Sequence, residues 1–224
     1  MRSVTSFSEL ETQFLQPLIA ERAIRLEERP LDGMQRWDLT DGTLSSAFFN
    51  VTGVHVSLEP KTAFAPPHEW DQPLYHQKPG SLTLFIDEQQ HILVQALFEP
   101  GNAGRGYQQS GLILVNGCKF SPENLNTQRS LGRIPPLSDL IDHPQAKQRF
   151  FHEAPGDGGR ADKQNQHYLI ELPRTILEEA VDNLPAVQRD FYALMPLSVL
   201  KECYTQALAN EHLRDLASML LFLA

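Results

Sequence analysis

The segment from Leu82 to Asn102 constrains this chain most. Leu82 to Ile86 and His91 to Phe98 are apolar runs of strand length, and the polar Asp87-Glu88-Gln89-Gln90 between them predicts an antiparallel pair. The second run closes as Gln95-Ala96-Leu97-Phe98-Glu99-Pro100-Gly101-Asn102, so an acidic side chain is presented where a strand meets a Pro-Gly turn. Glu99 is therefore the first candidate for a site carboxylate, because desolvation at a buried strand end raises a carboxyl pKa towards a range useful for proton transfer. The structural alternative has Glu99 capping the turn by accepting hydrogen bonds from the N–H groups of Gly101 and Asn102.

Around this pair the pattern predicts one domain over residues 1–224, with an N-terminal helix over 6–28, a β-rich core over 35–172 and a helical part over 175–224. Phe7, Leu10, Phe14, Leu18, Ile19 and Ile24 recur at helical spacing, Ser6 and Glu9 form a candidate capping box, and Pro17 marks an interruption. Asp41-Gly42 is a turn between short extended runs, and Phe48 to Leu58 is strand-like. Glu59 to Pro79 is proline-rich and reads as a long loop. Leu112 to Val115 and Tyr168 to Leu172 read as strands, Asn116-Gly117 as a tight turn, and Ser138 as the cap of a short helical stretch reaching Phe150. Thr175 to Val181, Leu197 to Ala209 and Glu211 to Leu223 carry helical patterns.

A net charge of -9 disfavours a nucleic-acid or anionic-membrane partner, which rewards clustered Lys and Arg. An anionic small ligand stays open, since two or three local cations or a few backbone N–H groups hold a diphosphate. Cys118 and Cys203 lie far apart without metal-type spacing and read as reduced thiols. No stretch approaches the roughly 18 apolar residues of a membrane span, and no leader pattern is visible, so the expectation is a cytoplasmic protein. His55, His152 and His167 are isolated in sequence, no His-x-His or His-Glu-x-x-His spacing exists, and no metal site is expected. Gly104-Arg105-Gly106 falls short of a dinucleotide fingerprint.

Three further blocks accompany the Glu99 segment: Phe48-Phe49-Asn50-Val51-Thr52-Gly53-Val54, then Trp70-Asp71-Gln72-Pro73-Leu74-Tyr75-His76-Gln77, and finally Phe151 to Arg160 with Asp157-Gly158-Gly159-Arg160, followed by Asn165 and Tyr168-Leu169-Ile170-Glu171-Leu172. In order and spacing these resemble the NDP-hexose 2,3-dehydratase family, whose members remove water from nucleotide-linked 4-keto-6-deoxy sugars. The resemblance implies an α+β fold with a Nudix-like mixed sheet flanked by helices, of which this chain carries a single copy. It implies a lyase needing no cofactor, a dTDP-sugar as substrate, a ketoreductase acting next, and a homodimer replacing the two tandem copies of longer members. The exposed faces of the N-terminal helix and of Leu216 to Leu223 are the expected dimer surfaces.

In the family's reaction the 4-keto group acidifies the proton on carbon 3, a base removes it, and an acid helps expel the carbon 2 hydroxyl. The catalytic candidates are Glu99, His76 and Tyr75. The substrate-binding candidates are Trp70 for stacking, Gln72 and Gln77 for hydroxyls or a base edge, Asn102, Arg105, Gln108, Ser110, Lys119, Arg160 and Asn165. All are expected to share one hollow. The chain departs from the family pattern at Gly111, where relatives carry Pro, and at Asn116-Gly117-Cys118-Lys119, where relatives carry a Thr-Arg-Ser-Asn run. Residues Ala161-Asp162 replace a Phe-Tyr pair. These departures keep open a non-catalytic module that binds a sugar nucleotide or a partner enzyme.

Overall fold

Alternation with a period of two organises the core of the protein. The computed structural model describes residues 1–22, 24–35, 37–46, 50–58, 68–76, 80–104, 107, 109–120, 136–155, 160–161 and 164–222. One sheet of eight strands holds β1 (Arg2–Ser3), β6 (Ser81–Ile86), β7 (Ile92–Ala103), β8 (Ser110–Asn116), β9 (Cys118–Phe120), β10 (Lys147–Pro155), β12 (Gln164–Glu171) and β13 (Tyr192–Met195). A second sheet holds β2 (Trp37–Thr40), β3 (Thr43–Ser46), β4 (Asn50–Leu58), β5 (His68–His76) and β11 (Arg160–Ala161). With its helices the chain is a mixed α+β protein.

The expected β6–β7 hairpin forms, and its turn has a chemical cause. Asp87 is fully buried, its Oδ1 accepts from the backbone N–H groups of Gln89 (2.9 Å) and His91 (2.8 Å), and its Oδ2 meets His91 Nδ1 at 2.8 Å. Yet β6 and β7 pair only through Phe85–Leu93 and Ile86–Ile92. Beyond that point they fork: β8 runs antiparallel to β7, and β9 runs antiparallel to β6. β12 continues the sheet parallel to β6, β10 lies antiparallel at its edge, and β13 joins β7 on the other side.

Both faces of this sheet are covered, as a buried sheet of apolar strands requires. Leu82, Leu84, Ile86, Val94, Ala96, Leu112 and Leu114 face one core with Leu10, Phe14, Leu18, Leu200, Leu213 and Leu216. Phe85, Leu93, Cys118, Ile170, Tyr192 and Leu194 face the other with Leu177 and Val181 of the helix Arg174–Asp182. Burial of each large apolar side chain contributes about 1.5–3 kcal/mol.

Several expectations are corrected. The N-terminal helix does not reach residue 28: a π-helical stretch (Leu10–Leu15) passes into an α-helix (Gln16–Glu21) with Pro17 in its first turn, and Arg22 is extended. Its residues Leu10, Phe14 and Leu18 are core, as are Leu216, Met219 and Leu220, so these parts of the expected dimer surfaces are not open; Leu223 lies outside the described residues. Within the proline-rich 59–79 segment lies β5, where β11 pairs only with Tyr75 and His76 and leaves Pro73 outside that ladder. The stretch before Phe150 is a 3-10 turn (Ser138–Leu140) followed by β10, not a helix. The Asp41-Gly42 turn forms as expected, with φ of 49° and 75°. No helix among the described residues is long and apolar enough to cross a membrane.

Candidate functional site

Glu99 does not end its strand. Phe98 pairs with Leu112 and Ala103 with Ser110, so Glu99, Pro100, Gly101 and Asn102 of β7 stand opposite a single residue, Gly111, of β8. This is a β-bulge of more than the usual single extra residue, a device that re-aims side chains. Gly111 has φ +77°, and a Cβ there would stand 3.3 Å from the Ala103 backbone and 3.2 Å from Ile24 Cδ1. Proline, fixed near φ -65°, has no place in that geometry, so the departure at Gly111 is a local change of backbone.

The bulge opens onto a cavity of about 410 Å³ lined by Glu99, Asn102, Ile113, Lys119, Ala207, Ala209, Asn210, Glu211 and His212. Glu99 is half-buried, and its Oε2 accepts from Nδ2 of Asn102 at 3.2 Å, a side-chain contact and not the backbone cap of the structural alternative. Lys119 comes from β9. The far wall is the start of the helix Glu211–Ser218, whose N-cap Asn210 accepts from the N–H of Leu213 at 2.9 Å. Backbone bonds pin this wall to the sheet, from Leu114 N to Leu208 O (2.7 Å) and from Asn210 N to Leu114 O (3.0 Å).

Beside the cavity three titratable groups meet. β10 and β12 place His152 directly opposite His167, and the ring centroids are 4.7 Å apart. Asp215, one helical turn beyond His212, puts Oδ2 2.6 Å from His167 Nδ1 and 4.0 Å from His152 Nε2. The shorter contact is a charge approach without hydrogen-bond alignment, since neither ring nitrogen of His167 has a hydrogen-bonded partner. Burial holds the His167 pKa below the usual histidine value; the Asp215 charge opposes this and the neighbouring His152 adds to it. The His212 ring lies 6.2 Å from that of His167 and joins the two groups of residues.

The other expected site residues divide between the sheets, so the single hollow is not found among the described residues. Trp70, Gln72, Tyr75 and His76 lie on β5, and none lines the cavity. Trp70 Nε1 donates to Gln72 Oε1 at 2.9 Å on one face of that strand; Tyr75 is on the opposite face, 40% exposed, and His76 Nε2 meets Thr52 Oγ1 at 3.0 Å. The Arg160 backbone, on β11, pairs with Tyr75 of β5 in the second sheet. Ser110 donates its hydroxyl to the Tyr107 carbonyl (2.8 Å) and accepts from Leu112 N (3.1 Å), which makes it part of a turn. Asn165 is buried on β12, with Oδ1 3.3 Å from the point a Cβ would occupy at Gly80. Gln77, Arg105, Gln108 and the Gly158-Gly159 segment lie outside the described residues.

Sequence reasoning missed His212, Asp215 and the pairing of His152 with His167. A usable signal existed: with Phe150 to Glu153 read as a strand, a hairpin through the glycine-rich segment brings His152 and His167 face to face. The helical reading, which ran up to Phe150, left no strand there to pair.

No curated protein matches the chain. The family model described as NDP-hexose 2,3-dehydratase matches residues 9–220, which includes every strand of both sheets but β1, the bulge and the helix that closes the cavity. The chain therefore belongs to the NDP-hexose 2,3-dehydratase family.

Proposed function

We propose that the protein eliminates water across carbons 2 and 3 of a nucleotide-linked 4-keto-6-deoxyhexose, with the sugar in the cavity beside the β7 bulge. The observation that carries this reading is the convergence of a carboxylate, a cation and an imidazole, Glu99, Lys119 and His212, on one cavity. Its volume falls in the range of small-ligand sites, about 300–1,000 Å³.

The sugar's own 4-keto group activates the proton on carbon 3. Glu99, steadied by Asn102, takes that proton; Lys119 faces the negative charge that develops on the enolate oxygen; His212 donates a proton to the departing carbon 2 hydroxyl, which leaves as water. The resulting double bond between carbons 2 and 3 bears the carbon 3 hydroxyl and is an enol, which tautomerises to a 3,4-diketone. Such a product calls for a ketoreductase to follow. The nucleotide, dTDP in this reading, falls to Trp70, Gln72, Tyr75 and His76 on the second sheet, whose aromatic and amide groups suit a base. The forked β6–β7 pair in a mixed sheet between helical layers supports the Nudix-like description.

The test is incubation with a dTDP-4-keto-6-deoxyhexose, following release of water as the diketo sugar or its breakdown products. Glu99→Gln is expected to lower turnover by about 10²–10⁴-fold while substrate still shifts the melting temperature. Turnover at the wild-type rate in that variant removes Glu99 from the chemistry. Binding by the wild type without any turnover establishes the module reading instead.

The reading includes a homodimer. Its support is a pair of exposed leucines, Leu31 (53%) in the turn before the second sheet and Leu39 (49%) on β2.

A further inference from the structure

We propose that His152, His167 and Asp215 bind a divalent first-row transition cation, at a site next to the cavity and independent of it. One ring nitrogen from each histidine and a carboxylate oxygen of Asp215 all lie within 4.8 Å of one another. Around a tetrahedral ion with metal–ligand distances of about 2.0–2.2 Å, ligand atoms stand roughly 3.4 Å apart. The separations of 2.6 Å and 4.0 Å from Asp215 to the two imidazoles bracket that spacing. The side chains that must adjust are the more open ones, Asp215 at 45% and His152 at 30% exposure.

A second observation, independent of the clustering, points to a ligand. The His167 side chain is 3% exposed, yet neither ring nitrogen has a hydrogen-bonded partner, and neither does Nδ1 of His152. Buried polar atoms are almost always paired, and each exception calls for a physical cause. A metal–nitrogen bond supplies a partner to a buried ring whose near neighbour, Asp215 Oδ2, stands 2.6 Å from Nδ1 outside hydrogen-bond alignment.

The donor set selects the kind of ion. Two imidazoles and one carboxylate suit zinc, iron or cobalt, whereas magnesium and calcium favour shells of oxygen. Three protein ligands leave coordination positions for water. The frame is firm: His152 and His167 are in register on adjacent strands, and Leu213 and Leu216, flanking Asp215, are fully buried in the core. The ion would fasten the helix Glu211–Ser218 to the sheet edge, whatever substrate the cavity takes.

The experiment uses the full chain, stripped with a chelator and dialysed into metal-free buffer, then titrated with Zn²⁺ and Co²⁺ by calorimetry. Visible absorption reports the geometry of the cobalt complex. One ion per chain is expected, with the d–d bands of ligated Co²⁺ and no response to Mg²⁺. His152→Ala and Asp215→Asn should each weaken binding by about tenfold or more, since even residues behind a ligand contribute about that much. His55→Ala, which alters an imidazole paired with Asp71 on the other sheet, should bind as the wild type does. Asp215→Asn keeps the size of a half-exposed side chain, and its far-ultraviolet circular dichroism verifies the fold. Absence of stoichiometric binding by the wild type, undiminished binding in both variants, or equal binding of Mg²⁺ overturns the proposal.

Discussion

Replacing Gly117 by alanine tests the account of the forked sheet directly. Gly117 sits between β8 and β9, where the chain leaves β7 for β6. A Cβ there would stand 3.0 Å from the Leu93 carbonyl oxygen, 3.3 Å from Phe85 Cδ2 and 3.5 Å from Leu93 Cγ. The nearest of these is backbone, in the one place where β6 and β7 are paired, so it has little freedom to retreat. Neighbouring Asn116 is fully buried and its Nδ2 donates to the carbonyls of Thr83 (3.2 Å) and Cys118, so moving the turn also strains these bonds. Overpacking of this kind costs about 1–3 kcal/mol. For a chain of this size each kcal/mol lowers the melting temperature by about 2–4 °C, giving an expected fall of about 2–12 °C by calorimetry. Gly53→Ala is the matched control, because nothing lies within 4 Å of a Cβ there. If Gly117→Ala melts with the wild type, or falls no further than the control, the fork is not held by close approach at that turn.

Three other outcomes follow from the geometry. Glu9 accepts from the backbone N–H of Thr5 (2.7 Å) and from its hydroxyl (2.8 Å), which holds the Glu9 pKa below the usual carboxylate value. A folded-state pKa below the unfolded one means stability that is present above the unfolded value and lost as pH falls through the folded one. Glu9→Gln should therefore flatten the acid limb of a melting-temperature-against-pH curve, and an unchanged slope would refute the assignment. Burial pushes the thiols of Cys118 and Cys203 up to about 12. Neither should react with a thiol reagent at neutral pH until denaturant is added; labelling of the native protein would contradict this. Light scattering should give the mass of two chains, lowered to one by Leu39→Lys together with Leu31→Lys, while a one-chain mass for the wild type removes the homodimer.

Local chemistry made much of the fold legible. The apolar run, the Asp87 turn and the second apolar run specify a hairpin because the contacts that make its turn, from Asp87 to Gln89 and His91, join close neighbours in the chain. Ser6 and Glu9 likewise cap their helix locally, with the Glu9 carboxylate also bonded to Thr5. Strands that depend on distant partners were less readable. β10 pairs with β12 across the glycine-rich segment, and β5 contains Pro73, so local propensity argued against both. The end of the first helix was also misjudged, since Ile24 keeps the spacing yet lies against Gly111 after the backbone has turned extended at Arg22.

The sequence by itself determined the family and the two-faced apolar strands and singled out Glu99 as a candidate, because motif order and period-two burial are properties of neighbouring residues. Only the tertiary structure decided what Glu99 faces. The fork of β6 and β7 and the bulge opposite Gly111 bring Lys119 from β9 and His212 from the far end of the chain to that carboxylate, while Trp70 and Arg160 go to the other sheet. Contacts separated by a hundred residues are set by strand order and packing, and no local pattern records them.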